Sequence, residues 1–112
     1  MILEGLFGNV TAPKALIFLQ LRESSYPLAI AKAFSIPVNQ VQRQLERFAV
    51  EGILSSRLVG KTRIYSFNSR CFYLDELRGL LQKASKFLPK AELEKILLTR
   101  ERPRRVGKRL PK

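Results

Sequence analysis

The sequence predicts a mainly α fold with one small β-hairpin (α+β): three helices, the hairpin, and added C-terminal helices, in a single domain over residues 1–99 with a basic tail over 100–112. Three observations carry this expectation. Apolar residues recur at helical spacing in 14–22, 27–34, 38–51 and 73–87. Between the last two of those windows the period shortens, with β-branched and aromatic runs at 53–58 and 63–67 flanking Val59-Gly60-Lys61-Thr62. The chain is 112 residues long, 46% hydrophobic and 27% charged, which suits one modest core and no more.

Each element has a local reason. Thr11 and Pro13 stand where a capping residue and a helix-start proline belong, and the residues at 14–22 are good helix formers, so a first long helix is expected there. Ser24, Ser25 and Tyr26 break it. Pro27 suits the first turn of a short helix ending at Phe34, with Leu28, Ala31 and Phe34 turned inward. Ser35-Ile36-Pro37 interrupts again. In the third helix Val41, Leu45 and Phe48 follow the i, i+4, i+7 rule, polar side chains cover the remainder, and Gly52 stops the run. Gly60 lets the hairpin turn tighten. Asn68 or Ser69 is the expected cap of the next helix, whose stripe is Tyr73, Leu74, Leu77, Leu80, Leu81, Ala84 and Phe87. Pro89 ends or bends that helix, and a last short one at 90–99 offers Leu93, Ile96 and Leu97.

Twenty-one Lys and Arg against nine Asp and Glu, with no histidine, give a net charge of +12. Half of that excess falls in the tail, where seven basic residues between Arg100 and Lys112 face Glu101 alone. Pro103, Gly107 and Pro111, with almost no apolar neighbours, make the tail a flexible arm by composition. One cysteine and no histidine leave no disulfide framework and no transition-metal site, so no cofactor is expected. Cys71 reads as a small packing residue rather than a redox switch. An enzyme is not expected, because there is no nucleophile motif and no glycine-rich phosphate loop, and the acids are scattered singly. Met1 leads into a mixed segment with Glu4, Gly5 and Gly8, and no run approaches the roughly 18 apolar residues of a membrane span. A cytoplasmic protein without membrane contact is the expectation.

The residues Ala31-Lys32-Ala33-Phe34, Ile36, Val41, Leu45, Phe48, Glu51-Gly52-Ile53-Leu54, Gly60 and Tyr65 together resemble the pattern of winged helix-turn-helix transcriptional regulators of the ArsR-like and MarR-like superfamily. The resemblance spans about residues 6 to 84. Leu6-Phe7-Gly8-Asn9 is similar to the stretch that precedes the first helix in ArsR-like domains, including those found beside nucleotidyltransferases. Two positions depart from the pattern: Ser35 stands where the turn often has Gly, and Pro37 where a capping Ser is common. The metal-sensing members carry a Cys-x-Cys pair or His and Asp ligands; this chain has neither, so the resemblance implies no metal and specifies no small-molecule effector.

What the resemblance does imply is double-stranded DNA binding, with the helix at 38–51 in the major groove and the hairpin as a basic wing at 59–63, in a protein associated with the nucleoid. On that helix Asn39, Gln40, Gln42, Arg43 and Arg47 are the available base-reading groups, since amides pair with adenine and guanidinium groups with guanine. A solvated helix face is the plainer reading of those residues; the basic hairpin and the net charge favour DNA. Lys61 and Arg63 flank the tip and Arg57 lies on the paired strand, in reach of phosphates or of the minor groove. Tyr65 and Phe67, two apart, face one side of their strand and are expected in the core rather than stacked on bases. Leu74, Leu77, Leu80, Leu81 and Ala84 exceed what a three-helix core needs, which predicts a homodimer through this stripe, extended by Leu93, Ile96 and Leu97. Two other classes compete: an interaction module docking an effector or nucleotidyltransferase chain, and a non-specific nucleic-acid binder that relies on the tail.

Overall fold

Five consecutive residues, Ala15-Leu16-Ile17-Phe18-Leu19, are apolar around the whole circumference of a helix and so require neighbours on every side. The computed structural model, which describes residues 3–98, meets that requirement with six helices and a three-stranded sheet. A single turn, α1 (Glu4–Phe7), ends at Gly8 with φ +84°, and α2 (Thr11–Arg22) follows. All five residues of the apolar run are fully buried in α2, which packs against α1, α4, α5 and α6. The side chain that holds the start of α2 is Asn9 and not Thr11: its Oδ1 accepts from the Ala12 N–H at 2.8 Å, and Thr11 is already helical.

A two-residue strand, β1 (Ser24–Ser25), replaces the simple break expected after the first helix. It leads into α3 (Pro27–Phe34), with Pro27 in the first turn as expected. The inner face of α3 is Ala29, Ile30, Ala31, Ala33 and Phe34; Leu28, expected inside, is exposed. Ser35 closes this helix at φ +57°, the conformation for which glycine is the usual choice, and the Ile36 N–H donates back to the Ala31 carbonyl at 3.0 Å. The chain then enters α4 (Val38–Val50), whose Val41, Leu45 and Phe48 are buried as the spacing predicts.

Gly52, at φ +86°, turns the chain into β2 (Leu54–Val59), which pairs antiparallel with β3 (Thr62–Phe67). Gly60 holds φ +65° at the first of the two loop residues, which lets a two-residue hairpin keep the twist of its strands. The sheet order is β1-β3-β2, so the short β1 edge makes β3 the central strand. Tyr65 is buried with Ser25 and Ser56 as its cross-strand partners, and Phe67 packs partly against the core. Asn68 does not cap a helix. Its Nδ2 donates to the Gly52 carbonyl at 3.0 Å and its backbone N–H to the Ile53 carbonyl at 2.9 Å, tying the end of the hairpin to its beginning.

The last helices are α5 (Leu74–Ser85) and α6 (Lys90–Leu97). Tyr73 precedes α5 and Phe87 follows it, the latter exposed, so the stripe is shorter than its sequence suggests. Leu81 and Ala84 are buried in the chain's own core and are therefore not available to a second copy, which corrects two of the expected dimer contacts. Ile96 is fully buried as well, for the same reason: the all-round apolar α2 uses α5 and α6 as walls. Polar bonds fix these walls in place. Arg78 on α5 donates to Gln20 at 2.6 Å and pairs with Glu23 at 2.9 Å, and its guanidinium lies 4.8 Å from the Phe67 ring centroid. Arg22 donates to the Leu97 carbonyl at 2.7 Å, satisfying the C-terminal end of α6. The expected basic tail, 100–112, lies outside the described residues.

Candidate nucleic-acid interface

The face of α4 opposite its buried stripe is set by geometry, because successive helical side chains advance about 100°. With Val41, Leu45 and Phe48 pointing inward, Asn39, Arg43 and Val50 point directly outward. Gln42 turns toward one flank, and Gln40 and Arg47 toward the other. Asn39, Gln40, Gln42, Arg43 and Arg47 are all exposed. Gln44 is half-buried with its Oε1 inside the protein and unpartnered, so it belongs to the interior side.

The hairpin lies along the Gln42 flank. A cleft of about 650 Å³ opens between α3, α4 and the hairpin, and Gln42, Lys61 and Arg63 share its walls with Lys32, Tyr26 and Tyr65. Lys61 occupies the turn and is exposed; Arg63 is exposed and steadied by a 2.9 Å bond to the Ser56 hydroxyl. Of the eight residues expected to meet DNA, these three are brought together by the fold, with Asn39 and Arg43 on the adjoining outward face.

The other three sit elsewhere. Arg57 is the cross-strand partner of Ile64, whereas Arg63, Tyr65 and Phe67 point to the opposite face of the sheet, so Arg57 does not join the cleft. Arg47 lays its guanidinium 4.9 Å from the centroid of the Phe48 ring, which itself meets Phe7 edge to face. Gln40 shares that flank with Arg47.

Two charged residues of this surface, Lys32 on α3 and Glu46 on α4, are not among the sequence candidates. Glu46 is exposed, lines the cleft, and lies one turn after Gln42 and three residues after Arg43, between them in angle. Its sequence signal was available: i+4 from Gln42 is the same helical face. Burial raises the Tyr65 phenol above its usual pKa, the negative charge of Glu46 adds to the effect, and Arg63 opposes it; all three groups line the same cleft.

Among the described residues, no group of three or more His, Cys, Asp or Glu is arranged to hold a metal ion, and no helix is long and apolar enough to cross a membrane. Cys71 is a free thiol, half-buried against the core. Compared with protein-family models, with curated proteins and with solved structures, the chain matches none.

Proposed function

We propose that this chain is a winged helix-turn-helix protein that binds double-stranded DNA sequence-specifically and regulates transcription. In this reading α3 and α4 form the helix-turn-helix, α4 is the recognition helix, the β2–β3 hairpin is the wing, and α5 and α6 are additions that complete the core. The observation that carries it is the cleft. Gln42 from α4 and Lys61 and Arg63 from the hairpin converge on one concave surface, beside the outward-pointing Asn39 and Arg43. Amides and a guanidinium on the exposed face of a helix suit base edges, and cations on an adjoining turn suit the flanking phosphates. The net charge of +12 favours a polyanionic partner over an acidic-surface-avoiding protein module.

A second copy of the chain is part of the proposal. With Leu81, Ala84 and Ile96 taken by the core, the self-association surface reduces to the exposed Leu80 and Leu97 and the half-buried Leu74, Leu77 and Leu93. A twofold dimer presents two recognition helices to two half-sites. The test is selection of bound duplexes from a randomised pool by the wild-type chain. Enrichment of a defined base pattern is the expected result, and a pool without enrichment after repeated rounds contradicts sequence-specific binding.

A further inference from the structure

Glu46 is an anomaly on the surface just described. A carboxylate beside a groove meant for phosphates repels the ligand, and in a chain with a net charge of +12 one acid does little for solubility. Its negative charge acts on the Tyr65 phenol across the cleft, but local structure gives it no partner of opposite charge. Glu46 lies in the second half of α4, away from the helix N-terminus where an acid would favour the dipole, and among the described residues it forms no hydrogen bond or ion pair, although Arg43 is at i−3. Its side chain is exposed and borders the cleft with Gln42, Lys61 and Arg63.

A carboxylate has only acceptors to offer, so on a base edge it requires an amino group. In the major groove the cytosine N4 amino group is the partner that Glu accepts from. Three residues of helix separate Glu46 from Arg43, a rise of about 4.5 Å, against roughly 3.4 Å between successive base pairs. On a helix laid along the groove, these spacings put the two side chains in reach of neighbouring base pairs. A protein surface that keeps a free acid among cations rejects duplexes that present an acceptor there, because two acceptors meet without a proton between them.

We propose that Glu46 is a specificity-determining residue that reads a cytosine through its N4 amino group, at a base pair next to the one met by Arg43. This assignment rests on the DNA-binding reading above. The experiment is parallel selection from one randomised duplex pool by the wild-type chain and by Glu46→Gln, with circular dichroism showing that the exposed substitution leaves the fold intact. Glutamine carries a donor as well as an acceptor and pairs with adenine. The expected result is a wild-type motif containing a fixed cytosine, which Glu46→Gln converts to adenine at that position alone. Titration of the two duplexes should then show a reversal of preference of about tenfold or more. The same motif from both proteins overturns the assignment of Glu46 while leaving DNA recognition intact, and so does a uniform gain in affinity without a change of base. A wild-type pool with no motif overturns the DNA-binding reading and the assignment with it.

Discussion

Leu81→Ala is expected to destabilise the chain by about 2–5 kcal/mol, the cost of emptying a filled core position, whereas Leu80→Glu one residue away leaves stability nearly unchanged. Leu81 is fully buried and Leu80 is 38% exposed, although both belong to one apolar stripe in the sequence. The reason is α2. Its circumference is apolar throughout, so α5 must cover it with Leu81 and Ala84, and the neighbouring Leu80 is rotated toward solvent. Urea denaturation reads the first effect as a lowered midpoint; a loss under about 1 kcal/mol for Leu81→Ala would mean that α5 is not part of the core. Sedimentation equilibrium reads the second variant, because a carboxylate placed in a dry dimer interface carries a desolvation cost that monomers avoid. A monomeric wild type, or a Leu80→Glu variant that remains dimeric at micromolar concentration, contradicts the dimer placed on this helix.

Arg43→Ala is expected to cost about 1–3 kcal/mol of discrimination at one base pair while leaving binding to random-sequence DNA much closer to wild type. Lys61→Ala should behave differently. A lost phosphate contact weakens preferred and random duplexes alike and lowers the slope of log K against log salt by about 0.9. Titrations of a preferred and a scrambled duplex at several salt concentrations separate the two. Should Arg43→Ala reduce affinity equally for both duplexes, Arg43 would be a phosphate contact and the base-reading role would move to Gln42 and Asn39.

Much of the architecture is written in local patterns. The i, i+4, i+7 spacing of Val41, Leu45 and Phe48 specifies the buried side of α4, and Gly52 and Gly60 both take the positive φ that a helix stop and a tight turn require. The elements that escaped are those whose existence depends on distant partners. β1 is two serines with no strand pattern of their own, ordered by pairing with Tyr65 and Ser66 across the chain. Asn68 has the chemistry of a helix cap but finds a better acceptor in the Gly52 carbonyl, sixteen residues back. The largest difference concerns the leucines of α5. The five-residue apolar run at 15–19 needs cover on every side, so a three-helix core is not full until Leu81 and Ala84 join it. For the interface, exposure of the α4 polar residues followed from periodicity, but the separation of Arg57 from Arg63 required the strand register. Glu46 is an acid among amide and basic groups, and it joins their surface through the cleft that the hairpin forms against α4.

The claim that α4 and the hairpin form the DNA-binding face is tested most directly by mapping backbone amide chemical shifts while a short duplex is titrated into the full chain. The changes are expected to concentrate at Asn39, Gln42, Arg43 and Glu46 on α4 and at Gly60, Lys61 and Arg63 on the hairpin, with α5 and α6 little affected. Changes confined to α5 and α6, or no change at duplex concentrations that saturate binding, would contradict it.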